Sequence, residues 1–232
     1  MSIQEDIEKL GQQIKDIIDK ETVLNILLDN EIARYPRGSV VYGTFEGGIS
    51  DYDWLVVVDN AFASFLDKFP KGIYQDTKDN NDYEFITEHN FIQRLANNEI
   101  DMLECVFSRP ETCDGKYKKV VDDYFDKWKL RQSISSICSN SWVKCKKKLT
   151  VEKDYNLRVA QKSLWHSLRL YMFGIQIARN GMIVDWGQAN GLWKQIRDAD
   201  TPTWDYYKAE YQDMFNHLRS EFVKLCEKPK DY

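Results

Sequence analysis

The sequence predicts a mixed α/β fold of the α+β type, in which a small sheet with flanking helices precedes a helical C-terminal half. Two observations lead to this prediction. Short β-branched and aromatic runs between glycine, proline and polar turns are confined to roughly the first 110 residues. Beyond about Glu111, apolar residues recur at helical spacing and no strand pattern remains. We therefore expect two domains, residues 1–110 and residues 111–232.

The N-terminal elements follow from hydrophobic periodicity. Pro36 and Gly38 mark a change from a helical to a strand-like pattern, and "SVVYGTF" after them is predicted as a strand. A turn at Gly47 and Gly48 leads to a second predicted strand, "DYDWLVVVD". An amphipathic helix comes before these strands, and its apolar face consists of Ile3, Ile7, Leu10, Ile14 and Ile17.

The remaining elements alternate until the helical half begins. "AFASFLDKF" is predicted as a helix ended by Pro70, and "KGIYQDTKDNND" as a polar loop. "YEFIT" is predicted as a short strand, "EHNFIQRLANN" as a helix, and "MLECVF" as an apolar segment. The helical half contains the stretch from Arg131 to Lys148, the stretch around Lys162 and the C-terminal "WDYYKAEYQDMFNHLRSEFVKLC".

Composition and charge narrow the class of protein. The 232 residues are 43% hydrophobic and 30% charged, which suits a folded chain with a substantial core and excludes a disordered one. A net charge of −5 argues against binding nucleic acid mainly by bulk electrostatics, although a local basic region remains possible. No stretch has the roughly 18 apolar residues of a membrane span. The five scattered cysteines and the lack of a recognisable leader lead us to expect a cytoplasmic protein.

Two aspartates one residue apart are the first candidate site. Asp51 and Asp53 stand at the start of an apolar run, so in a strand both would project to the same side. Such a pair can hold hard cations such as Mg²⁺, and two such ions can support an in-line displacement that releases pyrophosphate. Upstream, the Gly38–Ser39 pair can offer backbone N–H groups and a hydroxyl to a phosphate. The alternative is that the aspartates cap a turn or lie on a solvated strand end.

The spacing of these residues resembles a known family. "GSVVYGTFEGGISDYD" is similar to the signature of the DNA polymerase β-like nucleotidyltransferase superfamily, in the "GS-x-x-YG…SDYD" version of a bacterial and phage branch of predicted nucleotidyltransferases. Arg37 departs from it, because the superfamily usually has an apolar residue before the glycine. "NDYEFITEHNFIQRLANNEIDMLECVFSRP" resembles the strand, helix and Leu-Glu segment that follow. The resemblance implies a third metal-binding carboxylate here. Asp82 and Glu84 both stay candidates, with Asp82 slightly preferred, whereas Glu104 is expected to be structural.

A third segment offers positive charge. Lys162, His166 and Arg169 in "AQKSLWHSLRLYMFGIQIARNG" recur at i, i+4 and i+7 and so line one helix face. Cationic groups in such a row can cradle a triphosphate, and arginine can bind it bidentately. The K-x-x-x-H-x-x-R pattern also resembles the helical half of the family. A solvated basic face, or a half-buried histidine, is the alternative.

The resemblance implies an enzyme that requires Mg²⁺ or Mn²⁺ and moves a nucleoside monophosphate from an NTP to an acceptor hydroxyl. The metals would be held by Asp51, Asp53 and one of Asp82 and Glu84. Residues 1–110 would then form the catalytic domain and residues 111–232 the nucleotide- or substrate-binding domain. RNA, a protein or a small molecule remains open as the acceptor, as do the preferred NTP and the oligomeric state, and no membrane partner is expected. A catalytically silent nucleotide- or RNA-binding module and a partner protein of the toxin–antitoxin type are the competing hypotheses.

Overall fold

The computed structural model describes residues 20–47 and 50–229. The described chain divides into two compact units. The first comprises residues 20–36 together with Asp51–Phe91, and the second comprises residues 37–47 and 50 with residues 92–229. The domain boundary at residue 110 stays a prediction. Of the amphipathic helix expected over residues 1–30, residues 1–19 lie outside the described residues and residues 20–29 are helical. Gly48 of the predicted turn also lies outside the described residues.

A four-stranded sheet organises the first unit. Its strands are β1 (Glu31–Arg37), β2 (Tyr52–Val58), β3 (Tyr74–Lys78) and β4 (Asn81–Thr87). Their order in the sheet is β1-β2-β4-β3. β2 and β4 run parallel, whereas β3 runs antiparallel to β4. The two central strands are the two that the apolar runs predicted, so the α+β class is confirmed.

Two local predictions are wrong, and the backbone shows why. "SVVYGTF" is not a strand: Ser39–Tyr42 form a single helical turn, α2, since the positive φ of Gly38 (65°) turns the chain out of β1. The polar segment after Pro70 is not all loop, because it contains β3. Asp79 and Asn80 adopt positive φ (51° and 62°), which is typical of two-residue hairpin turns and folds β3 back along β4.

The sheet has one apolar face and one of mixed character. Trp54, Val56 and Val58 of β2 alternate with Asp53, Leu55 and Val57 along the strand. The first set packs with a helix over residues 20–29 (α1) and with α3 (Ala63–Leu66). The cluster on this face consists of Leu24, Leu27, Val56, Val58, Leu66 and Phe85, all fully or almost fully buried. Each such side chain contributes about 1.5–3 kcal/mol, so this face fixes the register of the sheet.

After β4 the described chain is built of helices. The helices are α4 (Glu88–Ala96), α5 (Ile100–Ser108), α6 (Lys116–Tyr124), α7 (Lys127–Thr150), α8 (Leu157–Asn180), α9 (Asn190–Arg197) and α10 (Trp204–Leu225). This was predicted for α4 and for the half beyond about Glu111, whereas "MLECVF", predicted only as an apolar segment, forms most of α5. Asp126, Asn156 and Thr203 cap the N-termini of α7, α8 and α10 by accepting backbone N–H bonds. Among residues 20–47 and 50–229, no helix is long and apolar enough to cross a membrane.

The second unit is centred on α8, which packs against α7, α9 and α10. Gly174 of α8 permits the closest of these approaches. A Cβ atom at Gly174 would lie 2.8 Å from Ile134 Cδ1 of α7 and 2.8 Å from Phe222 Cε2 of α10. Because α8 is enclosed in this way, most of its side chains are buried, including polar ones such as Arg169.

Candidate functional site

The structure pairs two of the predicted carboxylates. Asp53 on β2 and Asp82 on β4 are register partners in the parallel ladder. Partnered residues on adjacent strands project to the same face, with the strands roughly 4.8 Å apart. Asp51 lies just before the first residue of β2 and is exposed. Glu84 shares the face of Asp82 but is partnered with Leu55, two positions further along the ladder.

Strand β3 orients both candidates for the third carboxylate. Thr77 Oγ1 donates a hydrogen bond to Asp82 Oδ1 at 2.7 Å, and Gln75 Nε2 donates one to Glu84 Oε1 at 2.7 Å. Both bonds join cross-strand partners of β3 and β4. Each carboxylate therefore has one oxygen fixed by a neighbour on its own sheet face.

The carboxylates of the first unit can be assessed as ligands for a divalent cation. Within the described ranges, no group of three histidine, cysteine, aspartate or glutamate side chains could hold a metal ion. The chemistry of Asp53 and Asp82 nevertheless suits Mg²⁺, which proteins often bind through one or two carboxylates while waters and substrate phosphates complete the octahedron. Asp53 and Asp82 therefore suit a metal ion that binds together with a nucleotide better than one held by protein ligands alone.

The Gly38–Ser39 pair begins helix α2, in the second unit. Gly38 has φ 65° and ψ −142°, a combination that residues with a Cβ atom rarely adopt. Its carbonyl oxygen accepts hydrogen bonds from the amides of Val41 (3.1 Å) and Tyr42 (3.3 Å). The carbonyl of Ser39 accepts one from Thr44 N at 2.9 Å. The backbone conformation at Gly38 therefore explains why the motif has glycine at this position.

The three basic residues of α8 differ in their surroundings. Lys162 is exposed, His166 is partly buried, and the Arg169 side chain is only 3% exposed. Arg169 Nη2 lies 3.1 Å from His166 Nδ1. Burial, with the positive charges of Arg169 and Lys144 adding to it, lowers the pKa of His166 to about 3. His166 is therefore neutral at pH 7, and its Nδ1 accepts a hydrogen bond from Arg169.

Arg169 lies in an aromatic and acidic environment. Its guanidinium carbon is 3.5 Å from the ring centroid of Tyr42 and 4.7 Å from that of Trp165. Arg169 Nη2 is 3.8 Å from Glu104 Oε1. The hydroxyl of Tyr42 donates to Glu104 Oε2 at 2.7 Å. Burial raises the pKa of Glu104 despite the opposing effects of Arg169 and Tyr42, and burial also raises the pKa of Tyr42, which keeps the donating hydroxyl protonated.

Glu104, expected to be structural, has its partners Tyr42 and Arg169 within the second unit. The part played by Tyr42 was not predicted from the sequence. Tyr42 stands inside the quoted motif, where the strand prediction gave it no partner. It lies 62 positions from Glu104, so local periodicity cannot reveal their contact. The tyrosine of the "GS-x-x-YG" pattern itself is the one signal that could have pointed to it.

Comparisons with known proteins add little to this geometry. No protein-family model and no curated protein sequence matches the chain. Among solved structures, the chain is similar to a protein described as nucleotidyltransferase-like from Exiguobacterium sibiricum 255-15, whose crystal structure was determined at 1.90 Å. The two share 11% sequence identity, the match covers 84% of this chain and 72% of that one, and the TM-score is 0.36. So distant a likeness assigns no residue a role.

Proposed function

We propose that this protein is a metal-dependent nucleotidyltransferase, which moves a nucleoside monophosphate from an NTP to an acceptor hydroxyl and releases pyrophosphate. The pairing of Asp53 with Asp82 on parallel strands carries the proposal. Carboxylates so close repel each other unless a cation lies near them. The Gly38–Ser39 motif upstream, at the spacing of the superfamily signature, supplies the second line of support.

The candidate carboxylates of the first unit have defined parts in the proposed reaction. Asp53 and Asp82 would hold Mg²⁺ or Mn²⁺, with Asp51 as a further carboxylate just before the strand. A bound metal would activate the attacking hydroxyl and stabilise the leaving pyrophosphate. Asp82, oriented by Thr77, is our candidate for the general base that takes the proton of the acceptor hydroxyl. Glu84 is the alternative for this position.

In the second unit, Gly38 and Ser39 would contact the β- and γ-phosphates through backbone N–H groups and the serine hydroxyl. Lys162 is the exposed cation among the three basic residues of α8. We therefore assign the direct phosphate contact on α8 to Lys162, whereas His166 is partly buried and Arg169 is almost fully buried. RNA, a protein hydroxyl and a small molecule all remain candidates for the acceptor.

The test is transfer of label. The protein is incubated with each α-labelled NTP, Mg²⁺ or Mn²⁺ and total cellular RNA, beside Asp53→Asn and a matched control, Asp76→Asn. Asp76 lies on β3 but is partnered with Tyr83 on the opposite face of the sheet. We expect label in RNA, or on the protein itself, with the wild type and the control only. Equal labelling by Asp53→Asn would overturn the mechanism, and NTP binding without any transfer would favour the silent binding module.

A further inference from the structure

Tyr42 is held by three helices of the second unit. Its hydroxyl donates to Glu104 of α5 at 2.7 Å. Its ring lies under the guanidinium of Arg169 of α8. Its backbone carbonyl accepts a hydrogen bond from Asn190 Nδ2 of α9 at 2.8 Å. Hydroxyl, ring and backbone of one residue are thus each fixed by a different element.

Arg169 is committed to this arrangement rather than to solvent. Its side chain is 3% exposed and that of Glu104, whose Oε1 lies 3.8 Å from Arg169 Nη2, is 13% exposed, so both charged groups are directed into the protein. A desolvated arginine over an aromatic ring is attracted by the negative face of that ring. The direct phosphate contact that the sequence predicts for Arg169 would require this interaction to be given up.

The position of Tyr42 is coupled to that of the Gly38–Ser39 turn, which is proposed to bind phosphate. Tyr42 is the last residue of α2 and its amide donates to the carbonyl of Gly38 at 3.3 Å. Ser39 is the first residue of the same helical turn. Because one turn contains Gly38, Ser39 and Tyr42, the tyrosine cannot shift without moving the other two.

We propose that Arg169 and Glu104 are positioning residues, which clamp Tyr42 and thereby hold the Gly38–Ser39 turn in the form that receives the phosphates of a nucleotide. This inference rests on the proposed function. It assigns Arg169 a different part from the direct phosphate contact expected from the sequence. Triphosphate binding should depend on the clamp, whereas binding of a monophosphate should not.

The experiment is a double-mutant cycle of Arg169→Met and Tyr42→Leu, with Arg94→Met as a matched control. Arg94 is a similarly buried arginine of the second unit, but its partners are Glu99 (2.8 Å) and Asp101 (2.7 Å). Dissociation constants are measured for ATP and AMP with Mg²⁺, alongside the melting temperature. Hydrogen exchange is followed in the absence of nucleotide at the amides of Val41, Tyr42 and Thr44.

We expect Arg169→Met to weaken ATP binding by about tenfold, a difference of about 1.4 kcal/mol, while the affinity for AMP changes less than about twofold. Exchange at the α2 amides should accelerate in the same variant and not in Arg94→Met. In the Tyr42→Leu background, Arg169→Met should have no further effect, because both act through one contact. Tyr42→Phe keeps the ring and removes only the bond to Glu104. Tyr42→Phe should also weaken ATP binding, and it serves as the test variant if Arg169→Met does not fold.

Three results would overturn the positioning role alone: additive losses in the double variant, equal losses for ATP and AMP, or unchanged exchange at α2 in Arg169→Met. The first would make Arg169 a direct phosphate ligand, and the second would make its effect a general loss of stability. A wild-type protein that binds none of ATP, GTP, CTP and UTP with Mg²⁺ would instead overturn the proposed function, and with it the phosphate role of the turn.

Discussion

Asp53 and Asp82 occupy partnered positions on two parallel strands, so that two carboxylates share one face of the sheet. Like charges placed opposite each other on neighbouring strands destabilise a sheet. Asp53 and Asp82 are only partly buried, so apolar packing at these two positions does not compensate for the repulsion. A cation bound between nucleotide and sheet would relieve the repulsion, and this relief can be measured without knowing the acceptor.

With an NTP present throughout, Mg²⁺ should therefore stabilise the wild-type protein against heat. At a metal concentration about ten times its Kd, binding adds about 1.4 kcal/mol to the free energy of unfolding, which corresponds to a rise in Tm of about 3–6 °C for a chain of this size. Asp53→Asn should abolish the rise, whereas Asp76→Asn, on the opposite face, should keep it. Calorimetry at a fixed NTP concentration, with Mg²⁺ and with a chelator, checks this. An equal rise in wild type and Asp53→Asn would show that the metal binds elsewhere.

Gly38→Ala tests the backbone of the proposed phosphate-binding turn. Gly38 lies at φ 65° and ψ −142°, so a Cβ atom would strain the turn by about 1–3 kcal/mol. We expect a loss of stability in that range by chemical denaturation, together with loss of nucleotidyl transfer. Gly191→Ala is the matched control: it lies within α9, a Cβ atom there would have open space, and alanine should stabilise the helix by about 0.5–1 kcal/mol. A Gly38→Ala variant as stable and active as wild type would remove the turn from the mechanism.

His166 makes stability depend on pH. Burial lowers its pKa from 6.5 to about 3, so between these values the unfolded chain binds a proton that the folded protein does not. The stability that follows is complete above about pH 6.5 and is lost as the pH falls toward 3. The raised pKa of Glu104 acts in the opposite direction, since it favours the folded state at low pH. The two effects must therefore be separated by substitution.

His166→Asn keeps an acceptor for Arg169 and removes the titration. The difference in unfolding free energy between pH 7 and pH 5 should shrink by about 1–2 kcal/mol relative to wild type. Urea denaturation at both pH values measures this. The same substitution at His217, whose side chain is 80% exposed, controls for loss of an imidazole and should change stability by less than about 0.5 kcal/mol. An unchanged difference in His166→Asn would show that this histidine is not buried in neutral form.

The central strands were predictable because their signal is local. β2 and β4 both have carboxylates near their N-terminal ends and apolar runs after them, and alternation alone assigns each side chain of a strand to a face. Helices α7, α8 and α10 are likewise long and periodic. β3 carries a polar edge sequence, and only the positive φ angles of Asp79 and Asn80 make it a hairpin arm. Such conformations are not visible in composition.

The environment of α8 was not predictable from its own spacing. Lys162, His166 and Arg169 share a helical period, but the period does not say which neighbours cover which part of the face. The burial of Arg169 is decided by Tyr42 and Glu104, which are far away in the sequence. The low pKa of His166 follows from the same packing. The sequence therefore indicates the residue types of the candidate site, while burial decides what each can do.

The choice between Asp82 and Glu84 follows from register and can be tested directly. Asp82 is the ladder partner of Asp53, whereas Glu84 is partnered with Leu55 and accepts a hydrogen bond from Gln75. We expect Asp82→Asn to abolish both the Mg²⁺-dependent rise in Tm and nucleotidyl transfer. Glu84→Gln should retain the rise in Tm and most of the activity, because the amide oxygen still accepts from Gln75. The reverse result would assign the metal site to Glu84 and shift it two residues along β4, away from the partner of Asp53.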